Sequence, residues 1–153
     1  MSRSVWSLRR WLPVLIWAGF IFWGSTDLLS VPHTSRFTRP FLLWLRPDLS
    51  EDAIAFVQIC LRKTGHMAEY ALLAGLLWRA LNGSELGLSR PWPRRLAWWT
   101  WGLAVAYAAS DELHQSFVAS REGTLRDVGI DGLGAAVAIG AIWFIGRQRR
   151  RWV

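Results

Sequence analysis

The chain has 153 residues, of which 52% are hydrophobic and twelve are Trp, and its formal net charge is +7. This length suffices for one domain, and the excess of apolar side chains must face something other than water, so a lipid bilayer is the expected surroundings. The basic residues sit in short groups beside apolar segments, a pattern that argues against nucleic-acid binding. The single Cys60 excludes an intrachain disulfide and a cysteine-based zinc site.

The first apolar segment, residues 11–29, follows three arginines. Its uncharged part, Trp11 to Thr26, is about the shortest stretch that crosses a bilayer as a helix. A cleaved signal peptide would share the basic start, but this run is long, holds five aromatic residues and lacks a small-residue cleavage site. We therefore predict a membrane span rather than a leader.

Residues 30–49 contain Pro32, Pro40 and Pro47 and are predicted to form a loop that touches the membrane surface. Ser50 followed by two acids predicts a helix start, because a hydroxyl caps free amides and carboxylates suit the positive end of a helix. Helical spacing of apolar residues then indicates an amphipathic lead-in helix before the second span.

Three further spans are predicted at residues 66–82, 96–112 and 128–146. The fold class is therefore an all-α membrane protein, with about four transmembrane helices in a small bundle and a single domain over residues 1–153. Small residues four apart predict close helix contacts. They are Ala71 and Gly75 in the second span, Gly102, Ala106 and Ser110 in the third, and Gly132, Ala136 and Gly140 in the fourth.

The distribution of the arginines predicts how the chain is oriented in the membrane. With four spans, eleven of the 18 Lys and Arg residues fall on one side: Arg3, Arg9, Arg10, Arg79, Arg90, Arg94, Arg95, Arg147, Arg149, Arg150 and Arg151. By the positive-inside rule that side is cytoplasmic, so both termini are predicted to lie in the cytoplasm. An aromatic belt is predicted at the same boundary, formed by Trp6, Trp11, Trp78, Trp92, Trp98, Trp99, Trp143 and Trp152.

The predicted topology brings polar residues together at the opposite, outer end. The second span begins there, the third ends there and the fourth begins there. The residues concerned are His66, Glu69, Asp111, Glu112, His114, Gln115, Arg121, Asp127 and Asp131. Charged residues inside membrane segments usually serve a function, which makes this group the candidate site.

Three readings of the candidate site remain open. It binds a ligand through Asp111, Gln115, Arg121, Asp127 and Asp131, with Arg121 and Arg126 pairing with phosphate or carboxylate. Alternatively it is catalytic, with Glu69 or Glu112 as general base and His66 or His114 moving a proton. In the third reading the residues satisfy one another and hold the bundle together.

The same residue types could also bind a metal ion or cap a helix. Imidazole and carboxylate groups are competent ligands for a divalent cation, but ligand chemistry alone is permissive, so we assign neither metal nor cofactor. Thr124 and Asp127 also match a helix-start pattern, which gives Asp127 a structural role as well.

The order of these motifs resembles the VanZ-like family of small bacterial membrane proteins. The matching residues are Lys63, His66-x-x-Glu69-Tyr70, Asp111-Glu112-x-His114-Gln115-x-Phe117-Val118, Arg121-x-Gly123-Thr124-x-x-Asp127 and Asp131-x-x-Gly134. The chain departs from the family pattern at Ala119-Ser120, where Pro-Gly is usual, and at Asp131, where Asn is frequent.

The resemblance implies a multi-pass protein of the bacterial cytoplasmic membrane with a role in the cell envelope. The family is named for low-level resistance to the glycopeptide teicoplanin. The partners expected on this basis are the lipid bilayer and a lipid-linked cell-wall precursor or a glycopeptide.

Overall fold

The computed structural model describes residues 3–26, 31–82, 91–118, 121 and 123–152, with the side chains of 3–7 and 31–33 left aside. Five helices make up this part of the chain: α1 (Arg3–Gly24), α2 (Val31–Leu45), α3 (Glu51–Asn82), α4 (Arg94–Gln115) and α5 (Leu125–Gln148). The prediction of an all-α fold is confirmed. The last three residues of the first predicted span lie outside the described residues.

α3 joins the predicted lead-in helix and the second predicted span into one helix of 32 residues. Ser50 caps its start, since the Ser50 Oγ accepts a hydrogen bond from the Ala53 amide at 3.2 Å. The acids Glu51 and Asp52 occupy the first turn, where they suit the positive end of the helix dipole.

α2 corrects the prediction of a loop over residues 30–49. Pro32 lies in the first turn, where a missing amide costs nothing, and the helix ends at Leu45, two residues before Pro47. Pro40 lies inside the helix and removes one internal hydrogen bond. The proline content therefore hid a helix whose breaks fall mostly at its ends.

Side-chain hydrogen bonds attach α2 to α3. The Ser35 Oγ donates to Gln58 Oε1 at 3.2 Å, and the Gln58 Nε2 donates to Thr38 Oγ1 at 2.9 Å. Nearer the α2–α3 connection, Arg39 pairs with Glu51, and this hydrogen bond lowers the pKa of the Glu51 carboxyl. The attachment is thus largely polar.

α5 packs most extensively on α3, with α4 against both and α1 against α3. The closest approach is at Gly134, where a β-carbon would overlap the backbone carbonyl of Met67. The core is rich in small residues, among them Ala74, Ala104, Ala108 and Ala135. The helix backbones approach one another closely because these side chains are short.

The predicted small-residue stripe of the third span was on the wrong face. Gly102, Ala106 and Ser110 are exposed, whereas Ala104 and Ala108 of the same helix are fully buried. In α5, Gly132 is buried as predicted, but Ala136 and Gly140 are exposed. Both faces carry small residues at helical spacing, and only the packing partners decide which one turns inward.

One helix in the described part of the chain, α5, is long and apolar enough to cross a membrane by length and composition. The predicted spans 66–82 and 96–112 lie within α3 and α4, and α1 contains residues 11–24 of the first predicted span. α3 and α4 carry several charged residues, which lower their mean hydropathy. The four-span arrangement is therefore not confirmed by this criterion.

Three tryptophans cluster at the end of the bundle opposite the polar residues. Trp78 and Trp92 stack with ring centroids 4.8 Å apart, and Trp152 meets them edge-on at 6.3 and 5.1 Å. We call this group the aromatic cluster. All three belong to the predicted aromatic belt.

Candidate functional site

The polar end of the bundle is built where α3, α4 and α5 meet. We use "polar end" for the predicted site residues other than His114, together with Lys63 and Thr124. Six of its charged or amide side chains are buried: Asp111, Glu112, Gln115, Arg121, Asp127 and Asp131. Helical spacing explains their grouping, since Asp111 and Gln115 lie one turn apart on α4, as do Asp127 and Asp131 on α5.

A cavity of about 250 Å³ opens beside this end. Charged side chains of both signs line it, namely Arg62, His66, Glu69 and Arg121, and the hydroxyls of Thr34 and Thr38 in α2 form part of its wall. The cavity therefore lies between the end of α1, α2 and the middle of α3.

The last turn of α4 is tied to α1 by amide and hydroxyl groups. The Gln115 Nε2 donates to Asp111 Oδ2 at 3.0 Å and to Ser25 Oγ at 3.5 Å. Two helical turns before Gln115, the Tyr107 hydroxyl donates to the Ala18 carbonyl at 2.6 Å. The Trp17 indole likewise donates to the Glu69 carbonyl at 3.0 Å, which fixes α1 against α3.

Arg121 binds the carboxyl end of α1. Its Nη2 donates to the carbonyl oxygens of Gly24 at 2.8 Å and Thr26 at 3.0 Å. Helix ends leave carbonyls without internal partners, and a cation suits the negative end of the helix dipole. The guanidinium therefore secures α1 at the wall of the cavity.

The segment after Arg121 is pressed against α4. A β-carbon on Gly123 would overlap the Glu112 carbonyl oxygen, so only glycine fits there. The close approach lets the Thr124 amide donate to Glu112 Oε2 at 2.8 Å. This bond orients the Glu112 carboxylate toward the interior.

The start of α5 confirms the predicted cap, because the Thr124 Oγ1 accepts from the Asp127 amide at 3.1 Å. The Asp127 carboxylate has a second role as the partner of Lys63 on α3. One turn further along each helix, the His66 Nδ1 lies 3.5 Å from Asp131 Oδ1. Two polar pairs thus bridge α3 and α5.

Eight of the nine predicted site residues lie in this region, and His114 lies beside it. The His114 ring packs against Phe22 of α1, with centroids 4.4 Å apart, and it does not line the cavity. Arg126 is exposed and is likewise absent from the lining. Glu69 is half-buried and lines the cavity beside His66.

Sequence reasoning missed several members of the site as functional residues. Lys63 lies one helical turn before His66 and shares its face, which was the available signal. Ser25 and Gln58 gave no local signal, because their roles depend on contacts with other helices.

Chemically, the site offers acids, an imidazole and cations at the edge of a cavity. His66, Glu112 and Asp131 each present one possible metal-ligand atom, and these three atoms lie within 4.8 Å of one another. Anion binding is open to Arg62, which lines the cavity.

The comparison with protein-family models gives a match to VanZ/LLP1 over residues 10–146. No curated protein and no solved structure matches the chain. The matched range contains all four predicted spans and every residue of the polar end. The chain belongs to the VanZ/LLP1 family.

Proposed function

We propose that the chain is a multi-pass protein of the bacterial cytoplasmic membrane, with spans at 11–29, 66–82, 96–112 and 128–146. Large apolar side chains on the outside of the bundle support this arrangement. They include Leu12, Leu15, Ile16 and Phe22 of α1, Trp98, Trp99 and Leu103 of α4, and Leu133, Val137 and Phe144 of α5. Monomeric soluble proteins rarely expose contiguous patches of this kind.

In this arrangement the polar end faces the extracytoplasmic side and the aromatic cluster lies near the cytoplasm, as do both termini. The arginines at residues 94, 95, 147, 149, 150 and 151 support that orientation. Residues 51–65 of α3 and all of α2 then lie outside the bilayer on the extracytoplasmic side.

We further propose that the cavity binds the anionic headgroup of a lipid-linked or other cell-envelope ligand. The main support for this proposal is a cavity lined by Arg62, His66 and Glu69, in place of a network in which these side chains pair only with one another. A residue set that served only to hold helices together would pack without such a space.

The size of the cavity narrows the class of ligand. About 250 Å³ lies just below the usual range of small-molecule sites, so it suits a phosphate with part of a sugar or peptide. A glycopeptide antibiotic, with its cross-linked peptide core and sugars, is far too large to be enclosed. A link to teicoplanin resistance would therefore act through the envelope ligand.

Arg62 is the residue for testing this proposal. Arg121 holds the end of α1, so its loss would disturb the fold, whereas Arg62 lines the cavity from an outward-facing part of α3. A hydrogen bond to a charged group contributes about 1.5–3 kcal/mol, which corresponds to roughly 10-fold or more in affinity.

The experiment titrates the detergent-purified chain with polyprenyl phosphate and with the matching polyprenol by native mass spectrometry. We expect the phosphate to bind about 10-fold more tightly, and Arg62→Gln to remove most of that difference. Arg46→Gln is the matched control, because Arg46 is exposed and pairs with Asp48 away from the cavity. Equal binding of the two lipids, or no effect of Arg62→Gln, would contradict the proposal.

A further inference from the structure

Buried carboxylates at the polar end outnumber the cations that pair with them. Lys63 pairs with Asp127, and Arg121 donates to backbone carbonyls of α1. Among the described residues, Glu112 and Asp131 have no Lys or Arg nitrogen within 4.0 Å. Carboxylates are rarely buried unless they are paired or bind a metal.

The oxygens of these two acids are also short of hydrogen-bond donors. Glu112 is 5% exposed and Asp131 is 0% exposed. The Glu112 Oε1 and both Asp131 carboxylate oxygens have no hydrogen-bond partner in the described part of the chain. Buried polar atoms without donors are uncommon, and a bound cation is one of the accepted explanations.

The third component is His66, which comes from a different helix. The ligand atoms of His66, Glu112 and Asp131 lie within 4.8 Å of one another and belong to α3, α4 and α5. Bonds of about 2.0–2.2 Å to a tetrahedral metal place ligand atoms roughly 3.4 Å apart. The His66–Asp131 distance of 3.5 Å already meets that requirement. Small side-chain rotations would bring in the third ligand.

The surroundings hold one ligand in place. The Thr124 amide binds Glu112 Oε2 and leaves Oε1 directed inward, as hydrogen bonds in the outer shell of metal sites do. His66 also lines the cavity, so this one ligand of the three can be reached from it.

We propose that His66, Glu112 and Asp131 bind one divalent transition-metal ion of the Zn²⁺ or Mn²⁺ type. One imidazole with two carboxylates suits these ions, and the two negative charges balance the charge of the metal. This proposal does not depend on the proposed lipid ligand, because metal binding is measured on the protein without added lipid.

The test measures metal content in the tag-free, full-length chain. Protein stripped with a chelator is equilibrated with Zn²⁺ or Mn²⁺, and the bound metal is counted by mass spectrometry while a chromophoric chelator gives the affinity. We expect about one equivalent per chain and at least ~10-fold weaker binding in His66→Gln, Glu112→Gln and Asp131→Asn.

Asp48→Asn is the control for metal content. Asp48 is an exposed carboxylate that pairs with Arg46 and lies outside the three-residue set, so the metal affinity of this variant should stay near that of the wild type. No saturable binding by the wild type, or equal binding in all variants, would overturn the proposal.

A measurement on the wild type alone covers the case in which a variant fails to fold. X-ray absorption at the zinc edge should show an imidazole among nitrogen and oxygen ligands. A sulfur ligand would place the metal on the exposed Cys60, and a shell of water alone would indicate surface binding. Either result would overturn the site.

Discussion

Different kinds of interaction hold the two ends of the bundle together. At the polar end, α3, α4 and α5 meet through directed contacts such as Lys63 with Asp127 and the Thr124 amide with Glu112. At the other end, Trp78, Trp92 and Trp152 meet through ring faces and edges. The first kind of contact needs a specific partner, and the second needs only shape and apolar area.

This difference predicts unequal tolerance to substitution. Removing one member of a buried polar pair leaves the other without compensation, which costs more than the pair itself contributes. Trimming an aromatic ring loses area gradually, and neighbouring rings can shift to fill part of the space. Stability measurements in detergent can compare the two ends directly.

The largest effect is expected from Gly134→Ala, near the polar end. The new β-carbon would overlap the Met67 backbone carbonyl, and backbone cannot move aside unless α3 and α5 separate. We expect a loss of about 3 kcal/mol, the upper part of the usual overpacking cost, or failure to fold. The measurement is the thermal midpoint in detergent.

Two other glycines of α5 serve as controls for that substitution. Gly146→Ala meets the Trp152 indole of the aromatic cluster, a side chain that can move, so a smaller loss is expected. Gly140→Ala meets nothing within 4 Å and should keep the wild-type midpoint. If Gly134→Ala behaved like Gly140→Ala, the close contact of α3 and α5 would be wrong.

The second prediction concerns the pair between Lys63 and Asp127. Their side chains are 25% and 11% exposed, so Lys63→Met should destabilise by about 2 kcal/mol, less than the loss for a fully buried pair. Asp127→Asn should act similarly, since the Thr124 cap uses the backbone amide at that position.

A double-mutant cycle isolates the interaction. The double variant that carries Lys63→Met and Asp127→Asn should lose about 1 kcal/mol less free energy of unfolding than the two single variants lose together. Arg46→Met, which breaks an exposed pair with Asp48, should leave the midpoint unchanged. Strict additivity of the two single substitutions would show that the pair contributes no coupling.

The smallest effect is expected at the aromatic cluster. Trp152→Phe keeps an aromatic edge against Trp92 and loses a long hydrogen bond from the indole to the Ile142 carbonyl at 3.5 Å. The expected loss is below about 1 kcal/mol. A midpoint change as large as that of Lys63→Met would remove the contrast between the two ends.

Local chemistry was sufficient to predict the starts of α3 and α5 and the grouping of the site. Ser50 and Thr124 cap α3 and α5 as their sequence contexts indicated, because caps depend on a few adjacent residues. His66, Glu112 and Asp131 were placed together because their positions near span ends leave little choice of location.

Features that depend on contacts between helices could not be predicted from the sequence of one segment alone. α2 was missed because its attachment comes from Gln58 of α3, and no signal within residues 30–49 reports that contact. The inward face of α4 was misassigned because both faces carry small residues. His114 shares the acidic segment of the sequence but turns toward Phe22.

The polar attachment of α2 has a kinetic consequence for any ligand of the cavity. Thr34 and Thr38 supply part of the cavity wall, and Thr38 is joined to Gln58 by a hydrogen bond that water can replace. Such an exchange costs about 1 kcal/mol per bond, so displacing this wall is far easier than parting α3 from α5. If a headgroup binds there as proposed, the α2 side of the cavity is therefore its easiest route in and out.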